Sequence, residues 1–132
     1  MELRVIVRAE WLVVASVDAR GGCPVQRFFE QLHRDAPAEH RQLSARVQEM
    51  ARRGRITDEH KARLLGNGIW ELKTRAGVRV LYFVDEGRVI VCTDALRKPK
   101  PRQLSWLIKR SINVRASYLA ARKAGVLRIV ED

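Results

Sequence analysis

Residues 69–100, IWELKTRAGVRVLYFVDEGRVIVCTDALRKPK, decide the fold. Three strand-like runs, 69–74, 78–84 and 88–93, are separated by the Gly-containing turns Arg75-Ala76-Gly77 and Asp85-Glu86-Gly87. β-Branched and aromatic side chains dominate the runs, and such side chains pack well on a pleated, half-buried surface. Alternation in the middle run places Val78, Val80, Tyr82 and Val84 on one face and Arg79, Leu81 and Phe83 on the other. Arg79 is the anomaly. A cation among apolar residues needs an anionic partner or a place on the rim of a concave surface.

Upstream of this meander, 3–7 and 11–17 are β-like, as two strands or as one strand broken near Ala9-Glu10. Gly21 and Gly22 mark a loop, and Pro24 suits the first position of a helix. Val25, Phe28, Phe29 and Leu32 then recur at helical spacing over 25–34, giving that helix a core side. Asp35-Ala36-Pro37 marks a boundary before a second helix over 38–53, with Leu43, Val47, Met50 and Ala51 as its stripe and Gly54 as its stop. The two helices read as an α-hairpin. In 55–68, Thr57-Asp58-Glu59 suggests a short helical turn, Leu64 and Leu65 point inward, and Gly66-Asn67-Gly68 feeds the sheet. Downstream, 94–100 reads as a polar loop, and Pro101 opens a last helix reaching Ala124. Leu104, Leu107, Ile108, Ile112 and Leu119 form its core side, and Gly125 ends it. The expectation is one α+β domain over 1–132, with 1–10 as an extension or an extra strand and 126–132 as a tail.

Charge narrows the function. The 132 residues carry 26 Lys and Arg against 15 Asp and Glu, a net of +11, and the sequence pI is about 10.8. Such a balance favours a polyanionic partner, nucleic acid or an acidic protein. Between Ala95 and Val130 there are ten basic residues and no acidic one. A basic helix face containing Lys109, Arg110, Arg115, Arg122 and Lys123 is by itself compatible with simple solvation. The missing acidic counterweight, beside Arg97-Lys98-Pro99-Lys100, favours a phosphate-binding surface whose affinity comes from counterion release. Lys100, Arg102, Lys109 and Arg110 are its candidate contacts. Trp106 lies off the apolar stripe and is the candidate exposed base platform.

The remaining features exclude other classes. No apolar run approaches the roughly 20 residues of a membrane span. The charged stretch MELRVIVRAE is unlike a signal peptide. Cys23 and Cys92 lie in unlike contexts and read as reduced thiols, which points to the cytosol. His33, His40 and His60 show no metal-ligand spacing, so neither metal nor cofactor is expected.

The ordered text resembles the RelE-like bacterial toxins, and within them the phage-derived HigB-like branch. IWELKTRAGVRVLYF is similar to that branch's strand, turn and Arg-Val-Leu-Tyr-Phe signature. Arg97-Lys98 and Pro101, followed by Arg115, Tyr118 and Leu119, resemble its basic loop and closing helix. Trp11, Gly21-Gly22, Pro24-Val25, Phe28-Phe29 and Leu32 resemble its opening strand and first helix. Asp94, and Lys100-Pro101 in place of Lys-Thr-Pro, are departures from the pattern. The resemblance implies two N-terminal helices packed as an α-hairpin on a mostly antiparallel sheet, with a C-terminal helix. It implies a type II toxin that cuts messenger RNA on the ribosome without a metal, and a helix-turn-helix antitoxin of the HigA kind as partner.

Such cleavage needs a base for the 2′-hydroxyl, cations on the phosphorane and an acid for the 5′-oxygen. The resemblance gives Arg79 the phosphate-binding role and Lys73 a neighbouring one, and places Arg97 and Lys98 in the loop that supplies a further cation or acid. Glu71 shares the sheet face of Lys73 and is the candidate base, against the alternative that it is a structural partner for Arg79. His60, Tyr82 and Tyr118 read better as surface or packing residues than as catalysts. Two other readings stay open: a non-catalytic nucleic-acid-binding module of the same fold, and an interaction subunit for an acidic protein.

Overall fold

The computed structural model describes residues 1–131. Its elements are β1 (Glu2–Arg8), β2 (Leu12–Ser16), α1 (Pro24–Asp35), α2 (Pro37–Arg53), β3 (Ala62–Gly66), β4 (Ile69–Lys73), β5 (Val78–Asp85), β6 (Val89–Arg97), α3 (Pro101–Ala124) and β7 (Arg128–Val130). The strands form one sheet in the order β3-β4-β5-β6-β2-β1-β7. The α1–α2 hairpin covers one face, over Val13, Ala15, Val78, Val80, Tyr82, Ile90 and Cys92. The other face is covered by α3, over Leu3, Val14, Ile69, Leu81, Phe83 and Val91. Fully burying an apolar side chain such as Leu81 or Phe83 contributes about 2–3 kcal/mol.

The class is α+β, as read, but two features of the expected architecture are corrected. The helical hairpin is not N-terminal, because β1 and β2 precede it and the chain's first residues are sheet. The sheet is mixed: β2 runs parallel to β6, and β1 parallel to β7. The cause lies in β2, whose Val13 to Ser16 are all buried, so this strand belongs inside the sheet. Its parallel pairing with β6 needs a long connection, which the helical hairpin and the intervening strands supply. The break at Ala9–Trp11 also has a cause. Trp11 leaves the sheet, donates its backbone N–H to Ala51 O at 2.7 Å, and lays its ring over Gly54. A Cβ on Gly54 would stand 2.0 Å from Trp11 Cε2, and the φ of +73° there also calls for glycine.

Three boundaries moved. Residues 62–66 are a strand, and within it Leu64 faces solvent at 53% exposure. The stretch 94–97, read as a loop, extends β6. The tail holds β7, paired to the start of β1. Among the described residues no helix is long and apolar enough to cross a membrane.

A β-bulge in β6 sets the position of every charged residue near its end. Tyr82 pairs with Cys92 but Leu81 pairs with Asp94, so Thr93 is the extra residue. Thr93 and Asp94 therefore both turn toward α3: the Thr93 hydroxyl meets Ser111 Oγ at 2.6 Å, and Arg110 reaches Asp94 at 2.5 Å. Beyond the bulge the alternation is inverted. Leu96 stands opposite Arg79, and Arg97 opposite Val78.

Candidate nucleic-acid interface

Three strands bring charge together on the α3 face. Lys73 on β4 stands directly opposite Arg79 on β5, and Glu71, two residues before Lys73, shares their face. Arg63 on β3 stands opposite Glu71 from the other side. The Glu71 side chain has no exposed surface, and burying an unpaired carboxylate is costly. Arg79 Nη1 donates to its Oε2 at 2.8 Å, and Arg63 Nη2 donates to its Oε1 at 2.9 Å. The anionic partner that Arg79 demanded is therefore Glu71. With both carboxylate oxygens engaged and buried, Glu71 is a clamp for two arginines and not a free base.

A second buried carboxylate lies one strand further on. Asp94 Oδ1 accepts from Arg110 Nη1 at 2.5 Å, while Asp94 Oδ2 is buried without a partner. Burial pushes the Asp94 carboxyl up to about 6, against the pull of Arg110. The charge that departs from the family pattern is thus absorbed by α3, and it does not end the strand. Arg110, expected to contact nucleic acid, is held by Asp94.

The other candidate residues are dispersed. Lys98 sits at the tip of the β4–β5 hairpin, its N–H on Gly77 O at 2.7 Å and its side chain against Gly77. Arg97, expected beside Arg79, is carried to the opposite face by the bulge and bonds Glu39 of α2 at 2.6 Å. Lys100 and Arg102 at the start of α3 are exposed, as is Lys109. Trp106 is 63% exposed, as its off-stripe position suggested. Arg102, Trp106 and Lys109 fall at i, i+4 and i+7, on one outward helix face. Among the described residues Lys73, Lys98, Lys100, Arg102 and Lys109 make no ion pair, so their charge is open to an anion.

Residues weighed for other roles resolve as packing groups. Tyr118 is buried against Phe83 and donates to Asp85 Oδ2 at 2.5 Å. Burial pushes the Asp85 carboxyl up, but the hydrogen bonds from Tyr118 and Arg122 outweigh it and hold the group below its usual range. Trp70 stacks on Tyr82 on the α2 side, opposite Glu71. Cys23 and Cys92 are both buried, and burial, with Cys23 nearby, pushes the Cys92 thiol up to about 12. The α-hairpin brings His33 and His40 to a ring separation of 4.7 Å, a proximity not visible in their spacing. Among the described residues no three His, Cys, Asp or Glu side chains gather as metal ligands would.

Sequence reasoning missed Arg63, and a signal for it existed. Arg63 and Glu71 each lie four residues from Asn67, the centre of the Gly66-Asn67-Gly68 turn, which makes them cross-strand partners once 62–66 is a strand. The run Ala62-Arg63-Leu64-Leu65 lacked the β-branched character that would have marked it.

The family described as phage derived protein Gp49-like (DUF891) matches residues 28–110, well over half of the chain. The chain belongs to this family, which is of RelE/toxin-like type. The matched stretch contains most of the α-hairpin, the whole Glu71 cluster and the Asp94–Arg110 pair. No curated protein matches the chain.

Proposed function

We propose that this chain is the toxin of a type II toxin–antitoxin pair, of the HigB-like branch, acting in the cytosol as an endonuclease on ribosome-bound messenger RNA. The observation that carries the reading is Arg79 held by a buried carboxylate beside Lys73, inside the family-matched stretch. A guanidinium fixed in this way can grip a phosphate and stabilise the charge that develops on it, because its own orientation needs no reorganisation. The 2′-hydroxyl gives its proton to solvent as its oxygen attacks the adjacent phosphorus, the P–O5′ bond breaks, the 5′-oxygen takes a proton from solvent and leaves as a hydroxyl, and a 2′,3′-cyclic phosphate forms; the cations do the electrostatic work, with no metal required. The basic N-terminal end of α3, with Lys98, Lys100, Arg102 and Lys109, tracks neighbouring phosphates or ribosomal RNA. A HigA-like helix-turn-helix antitoxin is the expected neutralising partner.

The deciding experiment compares growth and transcript integrity after induced expression of the wild type and of Arg79→Ala, with folding of both checked by circular dichroism. Growth arrest and transcript cleavage by the wild type alone support the reading. Intact transcripts and normal growth with a folded wild type overturn it. One observation favours a second reading, a nucleic-acid-binding module without catalysis: Glu71, the candidate base, has both oxygens bonded. In that case removing cations weakens RNA binding step by step, and no variant or wild type cuts.

A further inference from the structure

We propose that Arg63 is a second phosphate-binding cation of this site, with Glu71 as the positioning residue that holds Arg63 and Arg79 side by side. The inference rests on the reading above, that the Arg79 face takes an RNA phosphate, and adds to it a residue and a division of labour.

The argument starts from charge. A single arginine would neutralise the buried carboxylate of Glu71; two are present, one on each oxygen. Arg63, Arg79 and Lys73 against Glu71 leave a net of +2, three cations less one carboxylate, concentrated on three adjacent strands. The geometry leaves that excess available. A guanidinium has five N–H donors in a planar fork, and among the described residues Arg63 and Arg79 each bond only Glu71. Their side chains are 53% and 28% exposed, whereas that of Glu71 has no exposed surface. The carboxylate thus lies beneath the pair, and free donors of both arginines face solvent. An anion with several acceptor oxygens suits this fork, and a phosphodiester presents them.

The arrangement also explains Glu71 without giving it a proton to move. Two unlinked arginines would repel each other and sample many rotamers, and the shared carboxylate removes both costs. Arg63 comes from the edge strand β3, so its outer side is open to a long substrate.

The test is binding of the full-length protein to a single-stranded RNA oligonucleotide, followed by fluorescence anisotropy across a salt series. Variants are Arg63→Ala, Arg63→Lys, Arg79→Ala and, as a control for net charge, Arg34→Ala at the exposed end of α1. Each phosphate contact contributes about 0.7 to the slope of log K against log salt on single strands. Arg63→Ala is expected to lower the slope by about that amount and to weaken binding roughly fivefold at low salt. Arg63→Lys is expected to keep the slope, since the charge remains, and to recover part of the affinity. Arg34→Ala leaves both unchanged. A purely structural Arg63 would alter thermal stability and leave the slope of the folded variant at the wild-type value. That outcome, with Arg79→Ala still lowering the slope, overturns the assignment of Arg63 alone. Absence of RNA binding by the folded wild type overturns the Arg79 reading and this inference with it.

Discussion

Two buried carboxylates on one face of the sheet have opposite fates. Glu71 is enclosed by β3, β4 and β5 and meets an arginine on each oxygen. Asp94, on β6, meets one arginine on one oxygen and leaves the other buried without a partner. Burial pushes Asp94 up to about 6. The contrast lies in the donors: neighbouring strands satisfy both oxygens of Glu71, whereas Asp94 has a donor on one oxygen only. Both donors of Glu71 come from neighbouring strands, whose register delivers a side chain directly across or one diagonal step away. The donor of Asp94 comes from a helix lying across the sheet, which reaches one oxygen only.

The largest effect that would break this contrast is expected from removing both arginines of Glu71. Either single change, Arg63→Ala or Arg79→Ala, leaves one guanidinium on the carboxylate and should cost about 1 kcal/mol, the size of one charge-assisted hydrogen bond at a partly exposed site. The double variant strands a fully buried charge and should cost about 3–5 kcal/mol, well beyond the sum. Urea unfolding of the four proteins in a double-mutant cycle measures the difference. Additive losses would mean that Glu71 is relieved by water or by protonation, and the two carboxylates would then be alike.

The next effect is a pH dependence carried by Asp94. Its folded-state value of about 6 lies above the ordinary aspartate value of 3.8, so the folded protein holds the proton more tightly than the unfolded chain. The stabilisation is therefore fully present below about 4 and is lost as pH rises through about 6. Relative to Asp94→Asn, which has no proton to lose, the wild type should fall in stability over that window by on the order of 2–3 kcal/mol. Urea midpoints of both proteins between pH 4 and 7 give the curve. A flat difference would show that Arg110 compensates Asp94 as fully as two arginines compensate Glu71.

Much of this was legible in the residues. The middle strand's alternation, proline-opened helices and glycine stops are local signals, and α3 runs over Pro101–Ala124 as read. The Glu71–Arg79 contact was one of the two readings of Glu71, since β4 and β5 are joined by a short turn that fixes their register. What escaped depends on pairings distant in sequence or on a single inserted residue. Strand β7 pairs with β1 across nearly the whole chain, and β2 lies beside β6 only because both faces of β2 are buried. The bulge at Thr93 is the clearest case. Regular alternation puts Thr93, Ala95 and Arg97 on the face of Arg79; one extra residue exchanges the two faces for everything after it. Nothing in Cys92-Thr93-Asp94 marks the insertion, because its cause is three-dimensional. Thr93 bonds Ser111 and Asp94 bonds Arg110, both on α3.

That inversion yields the smallest effect and a direct check on which face carries the chemistry. Arg97 now points toward α2, 45% exposed, and pairs with Glu39 at 2.6 Å. Exposed ion pairs contribute little, so Arg97→Ala should cost about 0.5 kcal/mol in stability. One oxygen of Glu39 is already buried without a partner, so losing the bond to the other raises the cost toward about 1 kcal/mol. On the proposed RNA-binding face the same substitution should change little, because Arg97 and Arg79 lie on opposite sides of the sheet. RNA affinity within about twofold of wild type is expected, and a salt slope close to unchanged. An Arg97→Ala variant that folds normally but loses as much RNA affinity as Arg79→Ala would mean that the substrate wraps the end of β6 and touches both faces. The phosphate path would then run over the β4–β5 hairpin tip at Gly77 and Lys98, and the Glu71 clamp would be one station along it.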